Sequence, residues 1–320
     1  MVTSNFTFLS NDRKTKIHAV KWVGEKVCAV LQIAHGMTEF IERYDIFAEF
    51  LVERGYVVVG HDHIGHGESV GTKGNWGFFC EENPSDILVE DMHKLRLLIQ
   101  EEYPQVPYFM LGHSMGSFLV RKYLGKYHVQ GAILMGTGFI PQKKTALTLK
   151  LTSLIGQIRG SNYRSKMIKN LVFGASYKAF DMTGKRPYKS WLTKDADVVN
   201  EYYKEPKCTF DFTINGYIGL FEAVNDACNQ EYVNQYAKDL SVLLVSGKDD
   251  PVGDMGAGVM KTYHMLETAG LSDITYKLYE NDRHELLHET DKGVIFQDLY
   301  DWMNMRVMKY KDIVNKHEST

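Results

Sequence analysis

The composition of this 320-residue chain is typical of an ordinary soluble protein with one large domain and room for an insertion. Hydrophobic residues make up 44% and charged residues 24% of it, and the net charge of -3 gives no sign of nucleic-acid binding. We find no signal-peptide pattern and no apolar run as long as a membrane span. Four dispersed cysteines without C-x-x-C pairing favour free thiols, so we expect a cytoplasmic protein.

The first half of the chain predicts alternating strands and helices. Apolar and polar residues alternate over 5–9 and 16–22, which predicts an antiparallel hairpin. The spacing of apolar residues then predicts, in order, strand 27–33, helix 41–54, strand 56–59, a helix from Asn83-Pro84 to Pro104, and strand 108–111. Asn83 is expected to cap its helix. A helix after Met115 and a strand over 131–135 follow.

This alternation stops between 138 and 217 and then resumes. The last predicted elements are strand 241–245, helix 255–269, strand 274–279 and helix 294–308. Strands that alternate with helices imply an α/β fold, with a mostly parallel sheet and helices on both faces. We therefore predict a core formed by 1–137 and 218–320, and an inserted helical cap over 138–217.

The strand over 108–111 leads directly into a G-x-S-x-G turn, Gly112-His113-Ser114-Met115-Gly116. A strand that reverses this abruptly into a helix holds the central residue in strained backbone angles, and the glycines let strand and helix approach. Ser114 is then exposed at the carboxyl edge of the sheet, where ligands bind in such folds. The turn predicts Ser114 as a catalytic nucleophile; the alternative is a plain Gly/Ser turn.

A serine nucleophile needs a general base, and the base needs an acid that orients it. In α/β folds with such a serine turn, the catalytic residues follow in the chain order Ser, then Asp or Glu, then His, each on a loop after a strand. The loop after 241–245 offers Asp249 and Asp250. We favour Asp250, because the residue before a proline is held extended. The last strand leads to His284, the predicted base, and His288 is the alternative.

Two histidine-rich segments raise the alternative of a metal site. His284 begins an H-E-x-x-H match, which binds zinc when both histidines lie on one helix face. The match directly follows a strand and a loop, and no third ligand is evident, so we expect no zinc. The stretch 61–69 is interpreted as a structural turn, with metal binding by His61, His63 and His66 as the alternative.

The oxyanion of a tetrahedral intermediate needs two N–H donors. One is predicted to be the amide of Met115, directly after the nucleophile. The second is predicted to be the amide of Met37, in the loop after strand 27–33. The alternative interpretation of His35-Gly36 in this loop is a simple turn that ends the strand.

These segments resemble the α/β-hydrolase superfamily, and within it the monoacylglycerol lipase and lysophospholipase group. The resemblance covers nearly the whole chain, least securely 141–189. It rests on His35-Gly36-Met37-Thr38-Glu39, the stretch Asp62 to Ser69, the turn around Ser114, the loop Ser246 to Gly253, and Arg283-His284-Glu285. It implies no cofactor, and from the residues themselves we expect no metal. The residues it implies for catalysis are the triad Ser114, Asp250 and His284 and the oxyanion amides of Met37 and Met115.

Together these features predict a serine hydrolase that cleaves carboxylic esters of lipid-like substrates, a monoacylglycerol or a lysophospholipid, through an acyl-enzyme. The alternatives are a short-chain carboxylesterase, a thioesterase, an aminopeptidase of the same fold and a non-catalytic binding module. A haloalkane dehalogenase would need aspartate in place of Ser114. An aminopeptidase is disfavoured, because acidic groups in its cap should hold the substrate's ammonium, whereas this cap is basic.

The predicted cap carries the opposite charge to the whole chain. Between 139 and 190 lie eleven Lys and Arg residues and one acid, Asp181, interleaved with apolar residues such as Leu147, Leu151, Leu154 and Ile155. This mixture predicts a helical lid with an apolar underside over an acyl chain and a cationic outer face. We expect the lid to contact an anionic membrane surface or to attract anionic lipids. The alternative is a solvated surface without a ligand.

Overall fold

The computed structural model of the chain describes residues 1–70 and 74–318, and its centre is an eight-stranded sheet. The strands are β1 (Val2–Leu9), β2 (Lys16–Val23), β3 (Ala29–Ala34), β4 (Tyr56–His61), β5 (Tyr108–His113), β6 (Gly131–Met135), β7 (Ser241–Gly247) and β8 (Ile274–Tyr279). They lie in the order β1-β2-β4-β3-β5-β6-β7-β8. β2 pairs antiparallel with β1 and β4, and the other pairings are parallel. The predicted hairpin and mostly parallel sheet are confirmed.

Helices cover both faces of this sheet. The α-helices are α1 (Asp45–Val52), α2 (Pro84–Glu102), α3 (Met115–Leu124), α4 (Gln142–Arg159), α5 (Lys166–Val172), α6 (Ala196–Lys204), α7 (Ile214–Ala227), α8 (Gln230–Val233), α9 (Ala257–Thr268) and α10 (Lys292–Glu318). Apolar residues of α2, α3, α7 and α9 pack on one face, and those of α1 and α10 on the other. The strands β4, β5 and β6 are buried at every position, as expected for a sheet covered on both sides. No helix in the described ranges is both long and apolar enough to cross a membrane.

The parallel register brings the loops that follow the strands to one edge of the sheet. The end of β3 pairs with β5 at Ala34 and Gly112, and the end of β5 pairs with β6 at His113 and Met135. The N–H of Ser114 then donates to the carbonyl of Met135 at 2.9 Å. Since β7 and β8 run in the same direction, their following loops reach this edge as well.

Two local predictions in the first half are corrected. The predicted helix 41–54 is a 3₁₀ turn, Ile41–Tyr44, followed by the shorter α1. Asn83 stands before α2 but makes no capping hydrogen bond, because its backbone is left-handed, with φ 48° and ψ 51°. A capping residue needs an extended backbone to bring its side chain over the first N–H groups of the helix.

The segment between β6 and β7 is helical, as the predicted cap requires. It begins with α4, α5 and α6 and continues with α7, and short 3₁₀ turns lie between α5 and α6 and between α6 and α7. The predicted end of the cap at 217 falls inside α7, which begins at Ile214 and packs on α2 and α3 of the core as well as on α4. The extent of the cap stays a prediction, and α7 is the element that joins cap and core.

The prediction of an apolar underside and a cationic outer face is wrong for part of α4. Leu151 and Ile155 pack against the core, as expected. However, Leu147 and Leu154 are 69% and 52% exposed, and Ile158 is 72% exposed. Positions seven apart in a helix share a face, so the outer face of α4 carries leucines among its lysines.

Candidate active site

Ser114, the predicted nucleophile, lies where β5 ends and α3 begins. Its backbone angles, φ 52° and ψ -118°, are ones that non-glycine residues rarely adopt. A Cβ on Gly112 would collide with the carbonyl of Gly116, and a Cβ on Gly116 would collide with the carbonyl of Ala34. Both glycines are therefore required for the tight turn, which holds Ser114 in a strained conformation.

The structure brings Asp250 and His284 together. His284 Nδ1 lies 2.9 Å from Asp250 Oδ2, and both side chains are buried. The other oxygen of Asp250 accepts a hydrogen bond from the N–H of Val252 at 2.8 Å, which fixes the carboxylate. Asp249, the competing acid, is exposed to solvent. Of the two neighbouring aspartates, Asp250 is thus the one positioned to orient the histidine.

The ring of His284 is held with one nitrogen still available. Because Nδ1 faces a carboxylate it carries the proton, which leaves Nε2 as an acceptor. Nε2 is buried and has no hydrogen-bond partner within the described ranges. Trp191 stacks on the ring with centroids 4.9 Å apart, and a Cβ on Gly136 would lie only 2.9 Å from His284 Cε1. The ring is therefore fixed by packing on its faces and by Asp250 at Nδ1.

Both predicted oxyanion residues, Met37 and Met115, line the same pocket as Ser114 and His284. Met115 is the first residue of α3, and the N–H groups of a first helical turn have no acceptor inside the helix. The loop that carries Met37 approaches closely: a Cβ on Gly36 would lie 3.0 Å from Ser114 Cβ. Glycine at 36 thus permits the approach, whereas the donor roles of the two amides stay predictions.

A buried network of charged side chains surrounds these residues, and the sequence had indicated no role for it. Arg43 binds Glu285 through two hydrogen bonds of 2.8 and 2.7 Å, and it also lies 3.2 Å from Glu39. His113 Nδ1 lies 2.7 Å from Glu39, and His113 Nε2 lies 3.2 Å from the carbonyl of His284. The network therefore ties together the loop that carries Met37, the strand before Ser114 and the loop that carries His284.

The charges in this network stabilise one another. Burial alone would raise the pKa of Glu39, but the charge and hydrogen bond of His113, together with Arg43, hold it far below its usual range. Burial likewise opposes protonation of His113, yet Glu39 raises the pKa of that imidazole. Both ring nitrogens of His113 face oxygen acceptors, which suits the doubly protonated form. The spacing in H-G-x-x-E was the only sequence signal for Glu39.

The two histidines of the H-E-x-x-H match do not come together to bind one metal ion. His284 pairs with Asp250, whereas His288 Nε2 lies 3.1 Å from the carbonyl of Arg43. The segment Leu286–His288 is a 3₁₀ turn, so the two histidines do not lie one α-helical turn apart. Two other groups in the described ranges have ligand atoms close enough to share a metal ion: His18, Glu42 and Asp62, and Asp282, Glu289 and Asp291.

The histidines of the 61–69 stretch form a buried cluster with His35. The ring centroids of His35 and His63 are 4.4 Å apart, those of His61 and His63 are 4.9 Å apart, and those of His35 and His66 are 5.1 Å apart. Asp62 accepts hydrogen bonds from the N–H groups of Ile41 and Glu68, each at 2.8 Å, as the structural turn requires. Burial lowers the pKa of both His61 and His66 to about 3. These rings are therefore neutral at pH 7.

We expect acid to destabilise the fold from about pH 6.5 downwards, because neutral buried histidines take up protons on unfolding. The pKa of His61 falls from 6.5 to about 3 on folding, so the unfolded chain binds more protons throughout that range. Its contribution to stability is therefore present above pH 6.5 and is lost as the pH falls towards 3. Between pH 7 and 5, one such histidine lowers the free energy of unfolding by about 2 kcal/mol.

Urea unfolding of the wild type and His61→Leu at the two pH values measures this effect. The loss of unfolding free energy between pH 7 and 5 should be about 2 kcal/mol smaller in His61→Leu. The control is His264→Gln, at an exposed histidine, which should keep the wild-type dependence. An unchanged dependence in His61→Leu would mean that His61 does not remain neutral in the folded protein.

Ser114 and His284 open into a cavity of about 370 Å³ between core and cap. Its inner wall is largely apolar and is formed by Phe118, Ile140, Leu220, Phe221 and Val224. The start of α4, the segment 171–177 and Trp191 close it from the cap side. A cavity of this size and lining suits an apolar ligand with a few polar groups at one end.

Three features define the class of α/β-hydrolases. They are the sheet order, the serine on a strained turn after β5, and the carboxylate–histidine pair on the loops after β7 and β8. Within this class, residues 25–291 match the model of Hydrolase_4, described as serine aminopeptidase, S33, and the chain belongs to that family. The predicted family resemblance and fold class are thereby confirmed.

Lipases and esterases are similar to this chain over most of its length. A monoglyceride lipase of Rattus norvegicus is 26% identical over 286 residues, which cover 87% of this chain and 83% of the lipase. A monoglyceride lipase homolog of Monkeypox virus is 26% identical over 284 residues, 87% of this chain and 90% of the homolog. The structure of a thermostable carboxyl esterase of Bacillus coagulans, solved in complex with glycerol, matches this chain with a TM-score of 0.88 and 25% sequence identity. The match covers 96% of this chain and 99% of the esterase.

Proposed function

We propose that this protein is a serine hydrolase that cleaves carboxylic esters of lipid-like substrates. The observation that carries this proposal is the buried Asp250–His284 pair, which shares its pocket with Ser114 and whose Nε2 is unpartnered in the described ranges. The similarity to a monoglyceride lipase and to a carboxyl esterase supports an ester as the substrate.

In the proposed reaction, His284 Nε2 takes the hydroxyl proton of Ser114 while Ser114 Oγ attacks the ester carbonyl. Asp250 stabilises the imidazolium that forms. The amides of Met37 and Met115 are assigned to the oxyanion, and His284 returns the proton to the leaving alcohol. Water then attacks the acyl-enzyme with His284 as the base again, which releases the acid and restores the Ser114 hydroxyl.

The pocket favours a lipid-like acyl group over a short one. Its apolar wall extends from Phe118, one turn into α3, to Phe221 and Val224 of α7, so a long acyl chain finds partners along the cavity. A short-chain carboxylesterase or a thioesterase could use the same triad and remain the alternatives. They differ from the proposal in chain-length preference and in the leaving group, which a panel of acyl esters and thioesters distinguishes.

An aminopeptidase, the activity in the family's description, is less well supported. Because an aminopeptidase cleaves the bond next to the N-terminal residue, it needs a free acidic group close to the triad to bind the substrate's ammonium. Glu39 and Glu285 lie in the pocket wall beside the triad, but both are engaged by Arg43. Their charges are already compensated, so neither is available for an amino group.

A fluorophosphonate probe is expected to label the wild-type protein covalently at Ser114, because such probes react with activated serine nucleophiles. Peptide mass spectrometry locates the modified residue. Ser114→Ala should abolish labelling, whereas Ser176→Ala, at an exposed serine in the same pocket, should keep it. Absence of labelling in the wild type would contradict the proposal and favour a non-catalytic binding module.

We further propose that the outer face of α4 contacts an anionic lipid surface. Lys143 and Lys150 are exposed there beside Leu147, Leu154 and Ile158. A helix face that combines apolar residues with cations suits the boundary between lipid headgroups and acyl chains. The cap also covers the mouth of the pocket, so docking on this face would bring the site to a source of lipid substrate.

Binding to vesicles of anionic phospholipid should weaken as salt is added, because surface attraction is screened over about 8 Å at physiological ionic strength. Replacing Lys143, Lys150 and Lys166 with Gln should weaken vesicle binding more than tenfold at low salt, at about 1 kcal/mol for each lysine near the surface. Lys309→Gln on α10 is the control and should bind as the wild type does. Equal vesicle binding by all variants at every salt concentration would mean that the basic face is a solvated surface without a ligand.

A further inference from the structure

Three charged side chains at the rim of the catalytic pocket are unpaired in the part of the chain that the structure describes. Lys144 of α4, Lys261 of α9 and Asp254 line the pocket and are exposed. Within 1–70 and 74–318, none of the three makes an ion pair or a side-chain hydrogen bond. This contrasts with Glu39 and Glu285 deeper in the same pocket, which are both bound by Arg43.

The packing between cap and core places these charges on one side of the pocket. The chain enters α4 directly over the start of α9: Thr262 Oγ1 donates to the carbonyl of Gly138 at 3.2 Å, and a Cβ on Gly258 would lie 3.1 Å from the nitrogen of Phe139. Lys144 is the third residue of α4, five residues after Phe139, and Lys261 lies one residue before Thr262. Both lysines therefore lie close in sequence to the point where the segment before α4 crosses α9, and both line the pocket.

Asp254 completes the rim from the loop that also carries the predicted catalytic acid. Asp254 and Met255 both have φ of 52°, and Gly256 follows with φ of 89°. Left-handed backbone at two consecutive non-glycine residues is strained, so the loop is held by its surroundings. The N–H of Met255 donates to the carbonyl of Asp250 at 3.0 Å, which ties the rim to the catalytic loop.

An apolar pocket that ends in two unpaired ammonium groups and one unpaired carboxylate matches a specific kind of ester. The apolar wall accepts the acyl chain, a phosphate would be bound by the lysines, and an ammonium attached to that phosphate would be bound by the carboxylate. We infer that Lys144 and Lys261 bind the phosphate of a lysophospholipid head group and that Asp254 binds the ammonium of a zwitterionic head group. This inference rests on the proposed function, since it names the substrate class of the same site.

The test uses three substrates with one short acyl chain, below the concentration at which they form micelles, so that surface docking cannot contribute. They are a monoacylglycerol, a lysophosphatidic acid and a lysophosphatidylethanolamine. For each enzyme the quantity compared is kcat/KM on a phospholipid divided by kcat/KM on the monoacylglycerol. The variants are Lys144→Gln/Lys261→Gln and Asp254→Asn, and the control is Lys309→Gln.

The lysine double variant should lower this ratio about tenfold for both phospholipids, mainly through KM, at the strength expected for two exposed charge pairs. Asp254→Asn should lower the ratio for lysophosphatidylethanolamine and raise it for lysophosphatidic acid, because a repulsive charge is removed. Lys309→Gln should keep the wild-type ratios. Ratios that stay constant across the variants, with hydrolysis intact, would overturn the head-group assignment alone. If the wild type hydrolysed none of the three substrates and no soluble neutral ester, the proposed function would be overturned instead.

Discussion

Replacing Ser114 or His284 with alanine is expected to lower kcat/KM for a soluble neutral ester by a factor on the order of 10⁴ or more. In the proposed reaction, the first change removes the attacking oxygen, and the second removes the acceptor for its proton. His284 Nε2 has no hydrogen-bond partner in the described ranges and is therefore free to accept that proton. Thermal unfolding should show that both variants remain folded, since neither residue contributes a large apolar side chain to the core.

The double variant should be scarcely less active than either single variant, because the residues act as one unit. His288→Ala provides the comparison for the base: His288 contacts the carbonyl of Arg43 and lies outside the Asp250 pair, so its loss should cost far less activity. A larger loss in His288→Ala than in His284→Ala would identify His288 as the base. Substantial activity in Ser114→Ala would contradict the nucleophile assignment.

The elbow around Ser114 could be predicted from the sequence because its determinants are local. Strand, glycines and helix lie within a few residues of one another, and sheet direction alone brings the later loops to the same edge. The pairing of Asp250 with His284 needed only the order of strands and the proline after Asp250. These parts depend on connectivity rather than on details of side-chain packing.

The charged network could not be predicted in the same way. Arg43 and Glu285 are separated by 242 positions, and nothing in either local sequence specifies the other as its partner. The motifs containing Glu39 and Glu285 were visible, but a motif gives residue types at a spacing and not the long-range contacts they make. Burial decides the chemistry here, since Glu39 and His113 stabilise each other's charge far more strongly when both are removed from water.

The orientation of α4 was predicted only in part for a different reason. Its apolar residues occur around the whole helix, so periodicity does not define one buried face. Leu151 and Ile155 pack inwards because α7 and the core lie on that side, whereas Leu147 and Leu154 point outwards and are more than half exposed. Tertiary contacts therefore selected the inner face, and the leucines left outside became the basis for the proposed lipid contact.

Asp250→Asn is expected to lower kcat/KM by roughly 10³-fold or more, whereas Asp249→Asn should change it little. The two substitutions are chemically identical and adjacent in sequence, so each is the matched control for the other. Asp250 is buried and lies 2.9 Å from His284 Nδ1, while the side chain of Asp249 is exposed. Kinetics on a neutral soluble ester, with thermal unfolding to check the fold, measure the difference.

The reason for the large effect is the protonation of the histidine. An ionised Asp250 accepts the hydrogen bond from Nδ1 and so keeps Nε2 free of its proton and ready to receive the one from Ser114. An asparagine amide can donate to Nδ1 instead, which stabilises the tautomer with the proton on Nε2 and removes the base. It also lacks the charge that stabilises the imidazolium formed during attack. If Asp249→Asn cost more activity than Asp250→Asn, the acid would have been assigned to the wrong residue and the contact between Asp250 and His284 would be structural only.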